Sequence, residues 1–283
     1  CYQPFAGVDT LEKLDRSHFP EASWFDYSTI RQQCISFKGE YAICFGGAGD
    51  MDFINSIARA KGMEEVMIDM MMENEAFITI MDQRFKFYYE MHENVLKAAG
   101  GLIDFTHIGE DLGNQRGPMI GMDLFETYFA PKFKHYFEMV HSYGAKVMMH
   151  MCGTVDAFLP RLIELGLDIQ DVVQPTTPEM DIANLKQHFG DKLIFQGSMD
   201  VQHELAFGTP DDVRRETRRR LDLFPKGGMF FGPSHAIQSG SPLENILAMY
   251  REAGSLTEVT DDNILSIKGE EEKVDAVNLA KLF

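Results

Sequence analysis

From about residue 40 onward the sequence repeats one unit, a short apolar run followed by an amphipathic stretch, and this alternation restricts the fold more than any other feature. The apolar runs predict strands at residues 41–45, 102–107, 146–151, 169–173, 193–196 and 229–231. Gly100-Gly101, Gly144, Gly190 and Gly227-Gly228 punctuate the units. Strands that alternate with helices build a parallel sheet. An open doubly wound sheet carries a Gly-x-Gly-x-x-Gly turn after a strand, and none follows a strand here. An eightfold (β/α) barrel, the TIM barrel, needs eight units, and six are visible. The first forty residues read as a Pro-, Asp- and aromatic-rich approach segment and not as a complete unit, and the first residue is Cys1, not Met. The expectation is an α/β chain whose residues 1–254 form a TIM barrel lacking its N-terminal units, which lie upstream in a longer reading frame. A polar extension over 255–283 is expected to end in a short helix at 274–283.

The helical stretches carry their own signals. Residues 51–62 and 64–99 are predicted helical, the second with one or two breaks. Residues 123–143 gather Leu124, Phe125, Tyr128, Phe129, Phe133, Tyr136, Phe137 and Val140 on one broad face. Asp123 with Glu126 reads as a capping box, and Pro131 is expected to kink or divide the stretch. The helix at 158–165 should stop at Gly166. Thr209-Pro210-Asp211-Asp212 and Ser241-Pro242-Leu243-Glu244 each predict a helix start, the second running to about Ala253.

Composition excludes several function classes. Lys and Arg number 26 against 44 Asp and Glu, a net charge of −18 that repels phosphate backbones, so no nucleic-acid surface is expected. No apolar run approaches the roughly 20 residues of a bilayer span. The four cysteines, Cys1, Cys34, Cys44 and Cys152, are too sparse for a disulfide scaffold, which points to a reducing cytoplasm. The run Arg214, Arg215, Arg218, Arg219, Arg220 is interleaved with acids and reads as a solvated helix face. Met67, Met70, Met71 and Met72 predict adaptable core packing or a contact between copies in a homo-oligomer.

The sharpest chemical feature is Lys146-Val-Met-Met-His150-Met-Cys152-Gly153. On a strand, residues two apart share a face, so His150 and Cys152 point the same way at the strand's C-terminal end, where barrel active sites form. Imidazole and thiolate are natural zinc ligands. His235, just after the last strand, lies at the same rim and is the expected third ligand, although a buried Cys and a strand-end His also serve as plain packing residues. The remaining histidines, His18, His92, His135, His141, His188 and His203, fall on expected helices or loops and read as solvated. The segment Thr106-His107-Ile-Gly-Glu110-Asp111-Leu-Gly-Asn-Gln115-Arg116 follows another strand. Glu110, Asp111 and His107 are its candidates for proton transfer, and Gln115 and Arg116 for a hydrogen-bonding and anion-binding clamp. Gln174, Gln196 and Asp200, at the ends of two more strands, are candidate substrate contacts.

Taken in order, Gly109-Glu-Asp-Leu-Gly-Asn-Gln-Arg-Gly-Pro118, Phe129-Ala-Pro131, His141-Ser-Tyr-Gly-Ala-Lys146, His150-x-Cys152-Gly153, Gln196-Gly-Ser-Met-Asp200, Gly208-Thr-Pro210 and Pro233-Ser-His-Ala-Ile237 with Ser241-Pro-Leu-Glu-Asn245 resemble the uroporphyrinogen decarboxylase superfamily over roughly residues 5–254. The resemblance implies a (β/α)₈ barrel and either of two chemistries: cofactor-free decarboxylation of a tetrapyrrole, or methyl transfer by corrinoid-dependent methyltransferases and O-demethylase components. In the second branch a His-x-Cys pair and a distant Cys bind zinc and activate a thiol acceptor. Here His150 and Cys152 match the pair, and His235 stands where the distant Cys is expected. The pair places the chain closer to the methyltransferase branch. It implies zinc as cofactor, methylcobalamin or a corrinoid protein as co-substrate and partner, and a small-molecule methyl donor with a thiol or folate acceptor. A polycarboxylate decarboxylase would need a basic clamp, for which Arg116 is the main candidate, and a catalytically silent barrel acting as a binding subunit is the third reading.

Overall fold

The computed structural model describes residues 2–175 and 177–254. Six parallel strands form one sheet: β1 (Cys44–Gly46), β2 (Phe105–Gly109), β3 (Lys146–His150), β4 (Ile169–Val173), β5 (Ile194–Met199) and β6 (Met229–Pro233). Each strand pairs in parallel with the next in sequence, so the sheet order is the chain order. A doubly wound sheet reverses direction at a switch point, whereas crossovers that always step one way build the wall of a barrel. The sheet curls accordingly. The rings of Phe105 on β2 and Phe230 on β6 stand 5.9 Å apart although their strands are not neighbours. The result is a half-barrel, an arc in which β1 and β6 are the edge strands among the described residues.

The helices cover the outer side: α1 (Ile30–Phe37), α2 (Phe53–Lys61), α3 (Met63–Met71), α4 (Glu75–Ala99), α5 (Ala130–Ser142), α6 (Leu159–Leu165), α7 (Ile182–Phe189), α8 (Pro210–Leu223) and α9 (Leu243–Glu252). The expected 64–99 helix breaks between α3 and α4, where Asn74 caps α4 by accepting from the Ala76 and Phe77 amides. The broad aromatic face of 123–143 forms the centre of the core: Phe125, Phe129, Phe133, Tyr136 and Phe137 are all fully buried. Each large side chain removed from water contributes roughly 1.5–3 kcal/mol. Pro131 divides this stretch as expected. It cannot donate to the Thr127 carbonyl, so the ladder changes pitch in a π-turn at Phe125–Phe129 before α5 begins.

Thr209 and Asp212 form the full reciprocal capping box of α8, and Gly166 closes α6 in a left-handed conformation. Other expectations are corrected. Asp123 caps nothing, because the preceding turn starts after Gly121 without a side-chain cap. Ser241 is likewise not a cap, since Pro242 occupies that position on α9. His92 is not solvated: it is fully buried on the inner face of α4, between Asp50 (3.1 Å) and the Tyr136 hydroxyl (2.7 Å). Arg220 leaves the solvated arginine face and lies buried, donating to the Ser198 carbonyl at 2.8 Å. The Met-rich face splits, with Met70 buried and Met71 and Met72 exposed. No strand precedes β1 among the described residues, and no described helix is long and apolar enough to cross a membrane. The expected terminal helix at 274–283 lies outside the described residues.

Candidate active site

The C-terminal ends of β2, β3 and β4 bring five titratable side chains together. His150, the last residue of β3, shares the strand end with Cys152, and its Nε2 lies 3.1 Å from the Cys152 sulfur. The other ring nitrogen, Nδ1, donates to Asp171 Oδ2 at 2.8 Å. The same oxygen accepts from His107 Nε2 at 2.9 Å. This follows from sheet register, because His150 pairs with Asp171 on β4 and with Gly109 on β2, one pleat beyond His107. Burial alone would raise the pKa of Asp171 and lower that of His150. The hydrogen bonds outweigh it, holding Asp171 down at about 2, while those from Asp171 and Cys152 push His150 up to about 10.

Asp111 approaches from the loop after β2. Its Oδ1 accepts from the Cys152 amide at 2.9 Å and lies 3.9 Å from His150 Nε2. Among the described residues two groups have donor atoms mutually within 4.8 Å: Asp111 with His150 and Cys152, and His107 with His150 and Asp171. His235 belongs to neither group. It is exposed and lines the same cleft. That cleft, about 560 Å³ and open to solvent, is also lined by Gln115, Gln174, Gln202, Gln238 and Val201. Gln115 sits at the tip of a two-stranded ribbon, Gly113–Asn114 against Gly117–Pro118. The ribbon can lie this close because residue 153 is glycine: its φ is +76°, and a Cβ there would stand 2.5 Å from the Asn114 carbonyl carbon.

The other expected site residues are placed differently. Glu110 is fully buried under α2, where its carboxylate accepts from the Phe53 amide at 2.7 Å and the Ile54 amide at 3.2 Å. Burial, then the nearby Asp52, raises its pKa well above the usual carboxylate range. Asp200 is buried outside the cleft lining and accepts from the Gln202 amide and from His203. Gln196 and Arg116 are also outside the lining, and Arg116 is exposed, its backbone amide donating to the Asn114 side chain. Gln174 lies in the cleft and takes the Gly153 amide at 2.9 Å. Sequence reasoning missed Asp171, Asn55, which donates to Asp111 at 2.7 Å, and the cleft residues Gln202 and Gln238. The one available signal for Asp171 was a carboxylate inside an otherwise strand-forming run, Ile169-Gln-Asp-Val-Val173.

Comparison with known proteins identifies a family and a fold. The family model for uroporphyrinogen decarboxylase (URO-D) matches residues 52–255. A methylated-thiol–coenzyme M methyltransferase of Methanosarcina mazei is 29% identical over 104 residues, which are 37% of this chain and 26% of that protein. A uroporphyrinogen decarboxylase of Psychromonas ingrahamii is 36% identical over 67 residues, 23% of this chain and 18% of the relative. The matched segments thus span only about a quarter or less of those curated relatives. A solved methyltransferase from Methanosarcina mazei superposes with a TM-score of 0.61 at 15% identity, covering 81% of this chain and 63% of that one.

Proposed function

The chain belongs to the uroporphyrinogen decarboxylase family, and from that premise we propose that it performs zinc-dependent methyl transfer in concert with a corrinoid protein. The observation that carries the reading is the donor set at the barrel rim: an imidazole nitrogen of His150, the thiol sulfur of Cys152 and a carboxylate oxygen of Asp111. Nitrogen, sulfur and oxygen donors in this number suit a catalytic zinc, which keeps its fourth position for a substrate. Asp171 takes the Nδ1 proton of His150, which leaves Nε2 for a metal, the arrangement usual for metal-bound histidines. On this reading Asp111 is the third donor in place of His235, which belongs to neither group of converging donor atoms. The half-barrel is read as part of an eightfold barrel, with two further βα units spanning the gap between β6 and β1.

Zinc bound there would supply Lewis acidity, lowering the pKa of a thiol or polarising a methyl donor. The chain's own residues supply the rest. His107 holds Asp171 in line with His150. Gln174 fixes the backbone at Gly153 and so the direction of Cys152. Gln115, Gln202, Gln238 and His235 present amide and imidazole groups to a small polar substrate in a cleft open to solvent. The lining that the described residues contribute is rich in side-chain amides, which suits a small polar substrate.

The test is metal content and turnover of purified protein kept in reductant. The expected result is about one zinc per chain, lost in Cys152→Ala without change in the far-ultraviolet circular dichroism. Wild-type protein should also demethylate methylcobalamin in the presence of a small thiol. A zinc-free wild type, or a Cys152→Ala variant that keeps both metal and turnover, overturns the proposal.

A further inference from the structure

The two oxygens of Asp111 are committed to different partners. Oδ1 accepts from the Cys152 amide at 2.9 Å and faces His150 Nε2 at 3.9 Å. Oδ2 accepts from the Asn55 side-chain amide at 2.7 Å. Asn55 lies in the first turn of α2, and that turn is fastened from several sides. Asp52 accepts from the Asn55 backbone amide, and Glu110 accepts from the amides of Phe53 and Ile54. Arg84, reaching across from α4, donates to the carbonyls of Asp52 (3.1 Å) and Gly49 (2.7 Å) and to the Ser56 hydroxyl (2.9 Å). A side chain on so constrained a turn has little freedom to follow Asp111 if it rotates. It fixes Asp111 instead.

The geometry points to Asn55 as a positioning residue for the metal donor set: its amide occupies Oδ2, so that Oδ1 alone is offered toward His150 and Cys152. This inference rests on the zinc reading above. The chemical consequence is specific. A carboxylate that offers one oxygen completes three protein donors and leaves a position open, whereas one that offers both oxygens fills that position. Asn55 thereby reserves the place that a thiol acceptor would take. Without it only the Cys152 amide holds Asp111, whose second oxygen can then turn to solvent or toward the metal, and either change alters the ligand field.

The experiment compares wild type with Asn55→Leu, which keeps the volume and removes the amide, and with Asn55→Ser, a smaller polar replacement that keeps the test available if leucine prevents folding. Each protein is loaded with Co(II) for visible absorption and titrated with Zn(II) against a chromophoric chelator. The expected result is a changed Co(II) ligand-field spectrum together with a zinc affinity lowered roughly ten- to hundredfold, with circular dichroism unchanged. Folded variants whose spectrum and zinc affinity match wild type overturn the role of Asn55 and leave the zinc reading intact, even if their melting temperature falls. If instead Cys152→Ala retains the wild-type zinc affinity, the zinc reading fails and this inference fails with it.

Discussion

Two aspartates, one just before β4 and one within it, show how one kind of contact serves two levels of a barrel. Asp168, just before the strand, accepts from His141 Nε2 at 2.7 Å, Lys146 Nζ at 2.7 Å and the Val147 amide at 2.9 Å. Asp171, in the middle of the strand, accepts from His107 and His150. Burial alone would raise both pKa values, and in both the hydrogen bonds prevail and hold the carboxyl low. The partners differ. The side chains of His141 and Lys146 are 37% and 62% exposed, whereas those of His107 and His150 are 19% and 18% exposed. Asp168 stitches α5 and β3 to β4 at the entry end of the strands. Asp171 orients imidazoles at the exit end, where the donor atoms converge and where barrels carry their chemistry.

Exchanging each acid for its amide separates the roles. Asp171→Asn keeps the shape but puts an NH₂ group or an uncharged oxygen against two ring N–H donors, so His150 loses the partner that fixes its tautomer. Zinc affinity should fall roughly ten- to hundredfold, as measured by chelator competition, and the low-pKa carboxylate resonance near the site should vanish from a carbon-detected NMR titration. A variant with wild-type zinc affinity would remove the distinction between the two ends.

Glu110 sharpens the comparison because it lies at the exit end by position yet supports the fold. Its carboxylate takes two backbone amides at the start of α2, in full burial. Glu110→Ala leaves both amides without that acceptor, at a cost of about 1–3 kcal/mol. For a chain of this size that corresponds to roughly 2–4 °C in melting temperature per kcal/mol, readable by calorimetry. A loss of turnover with no loss of stability would instead return Glu110 to the proton-transfer role expected from its place after a strand.

The architecture was legible in the sequence because its signals are local. Short apolar runs marked all six strands, and Thr209 with Asp212 marked a helix start that formed as written. The site was legible only as far as locality reaches. His150 and Cys152 could be paired because two residues on one strand share a face, but Asp171 reaches His150 across the sheet, a relation set by register and not by spacing. Asp111 and His235 were both at strand ends by the same rule, and only the folded loops decide that Asp111 meets the Cys152 amide and His150 while His235 lines the cleft outside that donor group. His92 looked solvated because helices usually show one face to water, yet α4 turns that residue to Asp50 and Tyr136. Side-chain chemistry acting between elements is where sequence periodicity stops carrying information.

The smallest expected effect is at Asp168, and its pH dependence is the finest check on the comparison. Its carboxyl titrates below its unfolded value of about 3.9 because His141, Lys146 and the Val147 amide favour the ionised form against the cost of burial. A carboxyl whose folded pKa is depressed stabilises the fold above the unfolded pKa and loses that contribution as pH falls through the folded value. Since its charged partners are exposed and screened, the gain at neutral pH is about 1 kcal/mol or less. Asp168→Asn should therefore lower urea-unfolding stability slightly at pH 7, and the gap to wild type should narrow as pH falls from about 5 toward 3, where the wild-type carboxyl begins to protonate. Zinc affinity should stay at the wild-type level throughout the neutral range. A gap that widens in acid would mean that Asp168 is destabilised in its ionised form, and a loss of zinc equal to that of Asp171→Asn would mean that the entry end of β4 governs the exit end after all.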